Sequence, residues 1–233
     1  MTRVILVRHG RTTANAEGIL AGRQEVELDD QGRLDAQDLG YRLSVVPIAL
    51  VLVSPLVRTR QTADAVLRGR NIPVRECPDL IECDYGDWSG RPLADLVKDD
   101  LWSAVQLHPS GVTFPDGESM AQVAARSVAA VRAAVAEIEA AGSGGNLVVV
   151  SHGDVIKAII ADALGLHLDG FQRICVDPGS LSVVRYTPHR VFVEHLNDLG
   201  GTLESLRESP SEGPEAADNL AEDDAIPGGG TGR

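Results

Sequence analysis

Two His-Gly pairs stand where side chains could do chemistry. Arg8-His9-Gly10 closes the apolar run Thr2-Arg3-Val4-Ile5-Leu6-Val7, and Ser151-His152-Gly153 closes Asn146-Leu147-Val148-Val149-Val150, 143 positions further on. A third cluster follows Ile48–Val53, where Ser54-Pro55 ends the apolar run and Arg58 lies at the start of the next helical segment. The chemistry open to this set is phosphoryl transfer. A neutral imidazole is a good nucleophile toward phosphorus, and its ordinary pKa of about 6.5 leaves it largely unprotonated at neutral pH. His9 is the expected nucleophile. Arg8 and Arg58 supply planar guanidinium forks that bind phosphoryl oxygens and offset charge in transfer. His152, beside the same oxygens, is expected to be cationic, because a neighbouring anion raises an imidazole pKa.

Transfer also needs an acid for the leaving alkoxide and a base for the incoming hydroxyl. Glu82, within Leu80-Ile81-Glu82-Cys83-Asp84-Tyr85-Gly86-Asp87-Trp88-Ser89-Gly90, is the candidate, since an apolar aromatic loop raises a carboxyl pKa. Taken singly, each residue has a plainer explanation: Arg-His-Gly occurs in ordinary surface turns, and a glutamate in a loop is usually solvated. The argument rests on their joint placement. His108, His167, His189 and His195 have no partner motif and read as structural, as do the three cysteines, which are too few and too irregularly spaced for a disulfide framework or a zinc site.

The elements that must position these groups alternate between strand-like and helix-like patterns. Val4–Val7, Ile48–Val53 and Asn146–Val150 read as buried parallel strands, with two further strands over Ser180–Tyr186 and Val191–Leu196. Helical spacing covers Gln31–Leu43, Arg58–Leu67, Ser119–Ala141 and Val155–Leu164, and the stretch from Cys77 to Pro115 reads as short helices and loops over a sheet edge. The expected fold is a three-layer α/β/α sandwich, a mostly parallel central sheet with helices on both faces. In such a sheet ligands bind beyond the carboxyl ends of the strands, which is where all three polar clusters fall.

The chain has 233 residues, 43% of them hydrophobic, enough for one generous domain, expected over residues 1–203. Residues 204–233 hold eight acids against Arg207 and Arg233, six of the thirteen net negative charges, and their Ser, Pro and Gly content predicts a disordered tail. The net charge of −13 argues against nucleic acid and anionic membranes as partners. It also requires any phosphate site to be a local concentration of arginines. With no membrane-length apolar run and no leader pattern, cytoplasmic residence is the default. An edge strand near Val191–Leu196 would permit a homodimer but does not require one; monomer and homodimer both stay open.

Together, Arg8-His9-Gly10-Arg11-Thr12-Thr13-Ala14-Asn15, Ser54-Pro55-Leu56-Val57-Arg58-Thr59-Arg60-Gln61-Thr62-Ala63, the Glu82 loop with Gly86, Trp88 and Gly90, Pro115-Asp116-Gly117-Glu118-Ser119 and Ser151-His152-Gly153 resemble the histidine phosphatase superfamily, with its phosphoglycerate-mutase-like fold. The likeness runs in order from residue 3 to about 196. It implies that His9 is phosphorylated, that Glu82 is the proton donor, and that Arg8, Asn15, Arg58 and His152 form the phosphate pocket. Gly22, Arg23, Tyr85 and Gly153 join them as implied substrate contacts. No metal or other cofactor is implied, and the substrate is a small phosphorylated metabolite. The pattern is similar in particular to an actinobacterial branch of phosphomutase-like proteins.

Two departures stand out. Asp154 occupies a position where many relatives carry a small residue, and with Lys157 one turn on it is expected to shape the substrate end, or even to compete with Glu82 as the acid. The insertion after Arg58 is short, and between Glu82 and His152 the only basic residues are Arg91, Lys98, Arg126 and Arg132. An unlidded pocket favours hydrolysis of a phosphohistidine over return of the phosphate to product. The leading reading is therefore a phosphatase, with a phosphomutase and a non-catalytic phospho-ligand scaffold as alternatives.

Overall fold

A computed structural model describes residues 1–142 and 145–200. The predicted acidic tail lies outside the described residues. Among these residues six strands, β1 (Thr2–Arg8), β2 (Ile48–Val53), β3 (Val74–Glu76), β4 (Gly145–Ser151), β5 (Leu181–Tyr186) and β6 (Val191–Asp198), form one sheet in the order β3-β2-β4-β1-β5-β6. The first four are mutually parallel, β5 is antiparallel to β1, and β6 is antiparallel to β5. Among the described residues seven α-helices accompany them: α1 (Thr13–Ala16), α2 (Asp30–Leu43), α3 (Val57–Leu67), α4 (Leu93–Leu96), α5 (Trp102–Leu107), α6 (Met120–Ala140) and α7 (Gly153–Leu164).

Near-continuous apolar runs make the central strands because both sheet faces are covered. Alternate residues then sort to opposite sides. Val4, Leu6, Leu52, Leu147 and Val149 pack with α6, α7 and the segment from Leu80 to Phe114, while Ile5, Val7, Val53, Val148 and Val150 pack with Leu39, Leu43, Ala63 and Val66 of α2 and α3. This is the expected three-layer sandwich. The long helix α6 starts at a reciprocal cap, in which the Ser119 hydroxyl accepts from the Gln122 N–H and the Gln122 side chain accepts from the Ser119 N–H.

The sequence reading passed over β3 and α1. Strand β3 is three exposed residues at the sheet edge, too short for a periodic signal. Helix α1 is a single turn held by the side chains of Thr12 and Asn15. No helix among the described residues is long and apolar enough to cross a membrane.

For the site, the parallel register matters most. Val7 aligns with Val150 and Val53 also aligns with Val150, so the chain leaves β1, β4 and β2 at one edge. Arg8 and His9, His152, and the Ser54–Arg58 turn all emerge there.

Candidate active site

The strand ends bring the two histidines together: the ring centroids of His9 and His152 are 5.3 Å apart and the rings are tilted by 60°. Arg8, His9, Arg58, Glu82 and His152 are all buried. Main-chain carbonyls hold the cations. Arg8 Nη1 donates to Val176 O at 2.7 Å, while Arg58 Nη2 and Nη1 donate to Gly22 O at 2.7 Å and Gln24 O at 2.9 Å. Carbonyls orient the two guanidiniums, and the nearby Glu82 carboxyl acts on the charge of both. Burial lowers the Arg58 pKa to about 10 and lowers that of Arg8 as well.

The same charge acts on the imidazoles. Burial first, then the Arg58 and Arg8 guanidiniums, hold His9 well below its usual range. Its Nδ1 lies 2.8 Å from Gly10 O. A carbonyl oxygen only accepts, so the proton sits on Nδ1 and the lone pair on Nε2. His9 is thus a neutral imidazole with a fixed tautomer. Gly10 allows this turn by close approach: a Cβ there would lie 2.4 Å from Gly32 O at the start of α2.

The cationic state expected of His152 rests on a bound phosphate, and the protein itself pulls the other way. Burial, Arg58, His9 and Arg8, in that order, push its pKa well down. Ser54 Oγ lies 2.7 Å from its Nε2, and its Nδ1 has no hydrogen-bond partner among the described residues. If the Ser54 hydroxyl donates to Nε2, the ring carries its proton on Nδ1 and is a hydrogen-bond donor without being charged. Nothing in the sequence singled out Ser54 for this contact, although it stood in the quoted motif.

Glu82 sits in the aromatic loop as expected. In that loop Tyr85 and Trp88 each pack edge to face with Phe114, and Trp102 stacks on Trp88. Gly86 makes the turn, at φ +51°, where a Cβ would strike Pro115 O at 1.9 Å. One Glu82 oxygen accepts from the Cys83 N–H at 2.9 Å. Burial and the nearby Asp154 carboxylate outweigh that bond and the two arginines, and raise the Glu82 pKa to about 7. It is an acid that can both give and take a proton near neutrality.

The remaining residues named from sequence divide. Gly22 contributes its carbonyl to Arg58 and, at φ +54°, brings the chain close to Ser89 and Tyr85. Asn15 has its Oδ1 turned back to the Thr12 N–H as a helix cap, which leaves its amide N–H groups for a ligand. Gly153 opens α7 directly after His152. Arg23 donates to Glu82 O at 3.0 Å and pairs with Glu118 at 3.0 Å and Asp84 at 3.3 Å. Arg126 joins it on Glu82 O and forms a two-point pair with Glu118. Glu118 was quoted as part of a motif, but its role in bracing the Glu82 loop was not legible. Tyr85 donates to Asp154 Oδ2 at 2.8 Å.

Two buried guanidiniums, a neutral imidazole with its lone pair free, a second imidazole able to donate, and a carboxyl titrating near 7 can bind a phosphoryl group, attack it and protonate a leaving oxygen. The residues carrying this arrangement lie inside the segment 4–199, which matches the histidine phosphatase superfamily (branch 1) over that whole length. The chain belongs to the histidine phosphatase superfamily. It is 33% identical over 184 residues to the adenosylcobalamin/alpha-ribazole phosphatase of Escherichia coli K12, covering 78% of this chain and 89% of that one. It is 30% identical over 188 residues to a Yersinia enterocolitica protein described as "Probable phosphoglycerate mutase GpmB", covering 80% and 86%. The crystal structure of the alpha-ribazole phosphatase from Shigella flexneri superposes with a TM-score of 0.73 at 30% identity, over 84% of this chain and 96% of that one. This superfamily chain is thus similar to phosphatases and to mutase-like enzymes alike, with the fold expected from its sequence.

Proposed function

We propose that this chain is a phosphomonoester phosphatase that works without a metal, through a phosphohistidine on His9, on a small phosphorylated metabolite. The carrying observation is the fixed tautomer of His9, with Nδ1–H on Gly10 O and the Nε2 lone pair left for phosphorus beside Arg8 and Arg58. Arg8 and Arg58 bind the phosphoryl oxygens and supply the charge that a metal ion supplies in other phosphatases. His152 donates from Nδ1, and Asn15 from its amide. Glu82, protonated, gives its proton to the leaving alkoxide as Nε2 forms its bond to phosphorus. The resulting carboxylate then takes a proton from water, which attacks the phosphohistidine, releases phosphate and restores His9.

Support for hydrolysis over isomerisation comes from the short segment between Glu82 and α6. Its two basic residues pair within the segment, Arg91 with Asp99 and Lys98 with Asp95, and Arg126 in α6 pairs with Glu118. A mutase needs groups that retain the dephosphorylated product, and this segment offers no cation for that purpose. The placement in an actinobacterial, phosphomutase-like branch remains a proposal of the same kind, carried by sequence pattern.

The test is phosphate release from a panel of phosphomonoesters with a chelator present, comparing wild type with His9→Ala. The panel includes 3-phosphoglycerate, with its product examined for 2-phosphoglycerate. Release that survives chelation and disappears in His9→Ala supports the reading. Isomerised phosphoglycerate without release moves it to the mutase, and turnover retained in His9→Ala overturns the mechanism.

A further inference from the structure

Behind the catalytic edge lies a second buried polar cluster, assembled from three parts of the chain. Asp154 and Lys157 stand one turn apart at the start of α7, Gln172 comes from the turn over Leu168–Arg173, and Tyr85 comes from the Glu82 loop. Asp154 is 1% exposed, Lys157 2% and Gln172 8%. Tyr85 Oη donates to Asp154 Oδ2, Lys157 Nζ donates to Gln172 Oε1 at 2.9 Å, and Lys157 Nζ lies 3.8 Å from Asp154 Oδ1. The cluster borders the reacting groups: Asp154 is two residues from His152, and its charge acts on both Glu82 and Arg8.

Two of its atoms are buried without a hydrogen bond, the acceptor Asp154 Oδ1 and the donor Gln172 Nε2. Buried polar atoms left in this state are costly. A buried ion pair kept for stability alone is replaceable by apolar side chains of similar size with little loss. The cluster therefore fits a ligand better than it fits a core. We infer that Asp154 and Gln172, held by Lys157 and Tyr85, form the leaving-group subsite, and that it takes a neutral alcohol carrying at least one hydroxyl besides the esterified one. This rests on the phosphatase reading above.

The chemistry selects that class. A hydroxyl donates and accepts at once, so it can satisfy both an acceptor and a donor. The Asp154 and Lys157 charges already offset each other, so the subsite asks for no net charge from the alcohol. A leaving group with a free carboxylate would set it against Asp154, and one with an ammonium would set it against Lys157. An apolar alcohol would leave both orphan atoms buried and unbonded.

The experiment compares kcat/KM for glycerol 1-phosphate and propyl phosphate, which differ only in the hydroxyls of the leaving group, with p-nitrophenyl phosphate as a general substrate and phosphoserine and 3-phosphoglycerate as charged competitors. Wild type is expected to favour glycerol 1-phosphate over propyl phosphate at least about tenfold, because a site built to bond a hydroxyl discriminates strongly against its absence. In Gln172→Met and Asp154→Ala that ratio is expected to fall toward one. Asp154→Ala leaves Lys157 buried without its carboxylate, so the double variant Asp154→Leu, Lys157→Met is measured beside it, with circular dichroism to confirm folding. A wild-type ratio near one, a ratio unchanged in the folded variants, or a preference for either charged substrate overturns the subsite. Release from p-nitrophenyl phosphate that depends on His9 while the ratio is near one rejects the subsite alone. No His9-dependent release from any substrate rejects the phosphatase reading and the subsite together.

Discussion

The phosphate half and the acid half of the site are held by different materials. Around His9 the partners are main-chain carbonyls: Gly10 O for the imidazole, Val176 O for Arg8, Gly22 O and Gln24 O for Arg58. Around Glu82, apart from the Cys83 N–H, they are side chains from distant parts of the sequence. Arg23, Arg126 and Glu118 brace the loop from one side, and Tyr85, Asp154, Lys157 and Gln172 form a chain on the other. A backbone-held half changes little when side chains change, which suits the phosphoryl group shared by every phosphomonoester. A side-chain-held half can be retuned by single substitutions, which suits the part of the substrate that varies.

Removing the nucleophile breaks the phosphate half outright. For His9→Ala the expected loss in kcat/KM is about 10⁴-fold or more, read as chelator-resistant phosphate release. On the acid side, Glu82→Gln keeps the shape of the residue and removes its proton, and general acid catalysis is worth about 10²- to 10⁴-fold. Its pH profile sharpens the contrast. Glu82 titrates near 7, so its proton is present below that pH and lost above it; wild-type activity should fall as pH rises through about 7, and Glu82→Gln should lose that limb. Linkage runs the same way. The folded pKa is raised, so Glu82 favours the folded state most below its unfolded value of about 4.5. That contribution is lost as pH rises through about 7, and the stability gap between Glu82→Gln and wild type should widen in favour of the variant over that interval.

For Arg58→Lys the expected cost is about 10²- to 10³-fold in kcat/KM, because an ammonium cannot reach both carbonyls and a phosphate with a planar fork. A scaffold-level test is Gly86→Ala. It puts a Cβ against Pro115 O at a positive φ, and should lower unfolding free energy by about 2 kcal/mol or more in denaturant titrations while disturbing the acid half before the phosphate half. The smallest effect belongs to Ser54→Ala. Without the hydroxyl, His152 loses the bond at Nε2, and KM for a phosphomonoester should rise about tenfold or less with the fold intact.

The same contrast explains what was legible in the sequence. His9, Arg58 and His152 follow apolar runs that can only be buried strands, and the rule that parallel strands present ligands at their carboxyl ends placed all three correctly. Glu82 was legible through its aromatic neighbours. Arg23 was expected at the substrate; its bonds to Glu82 O and Glu118 were not legible, because a guanidinium's partners 59 and 95 residues away leave no local pattern. Gln172 carries no signal in the sequence for the same reason: its partner Lys157 meets it only once α7 and the following turn pack together. The cation expected at His152 rests on a bound phosphate: sequence shows that pull on an imidazole but not the burial and the two guanidiniums that oppose it.

The most direct test of the central claim is the site of covalent labelling. Rapid quenching of enzyme with a phosphomonoester into alkali, followed by peptide mass analysis, should find one acid-labile, base-stable phosphoryl group per chain on the peptide containing His9, absent from His9→Ala. Phosphate release with no label on His9, or a label on His152 instead, would contradict the account.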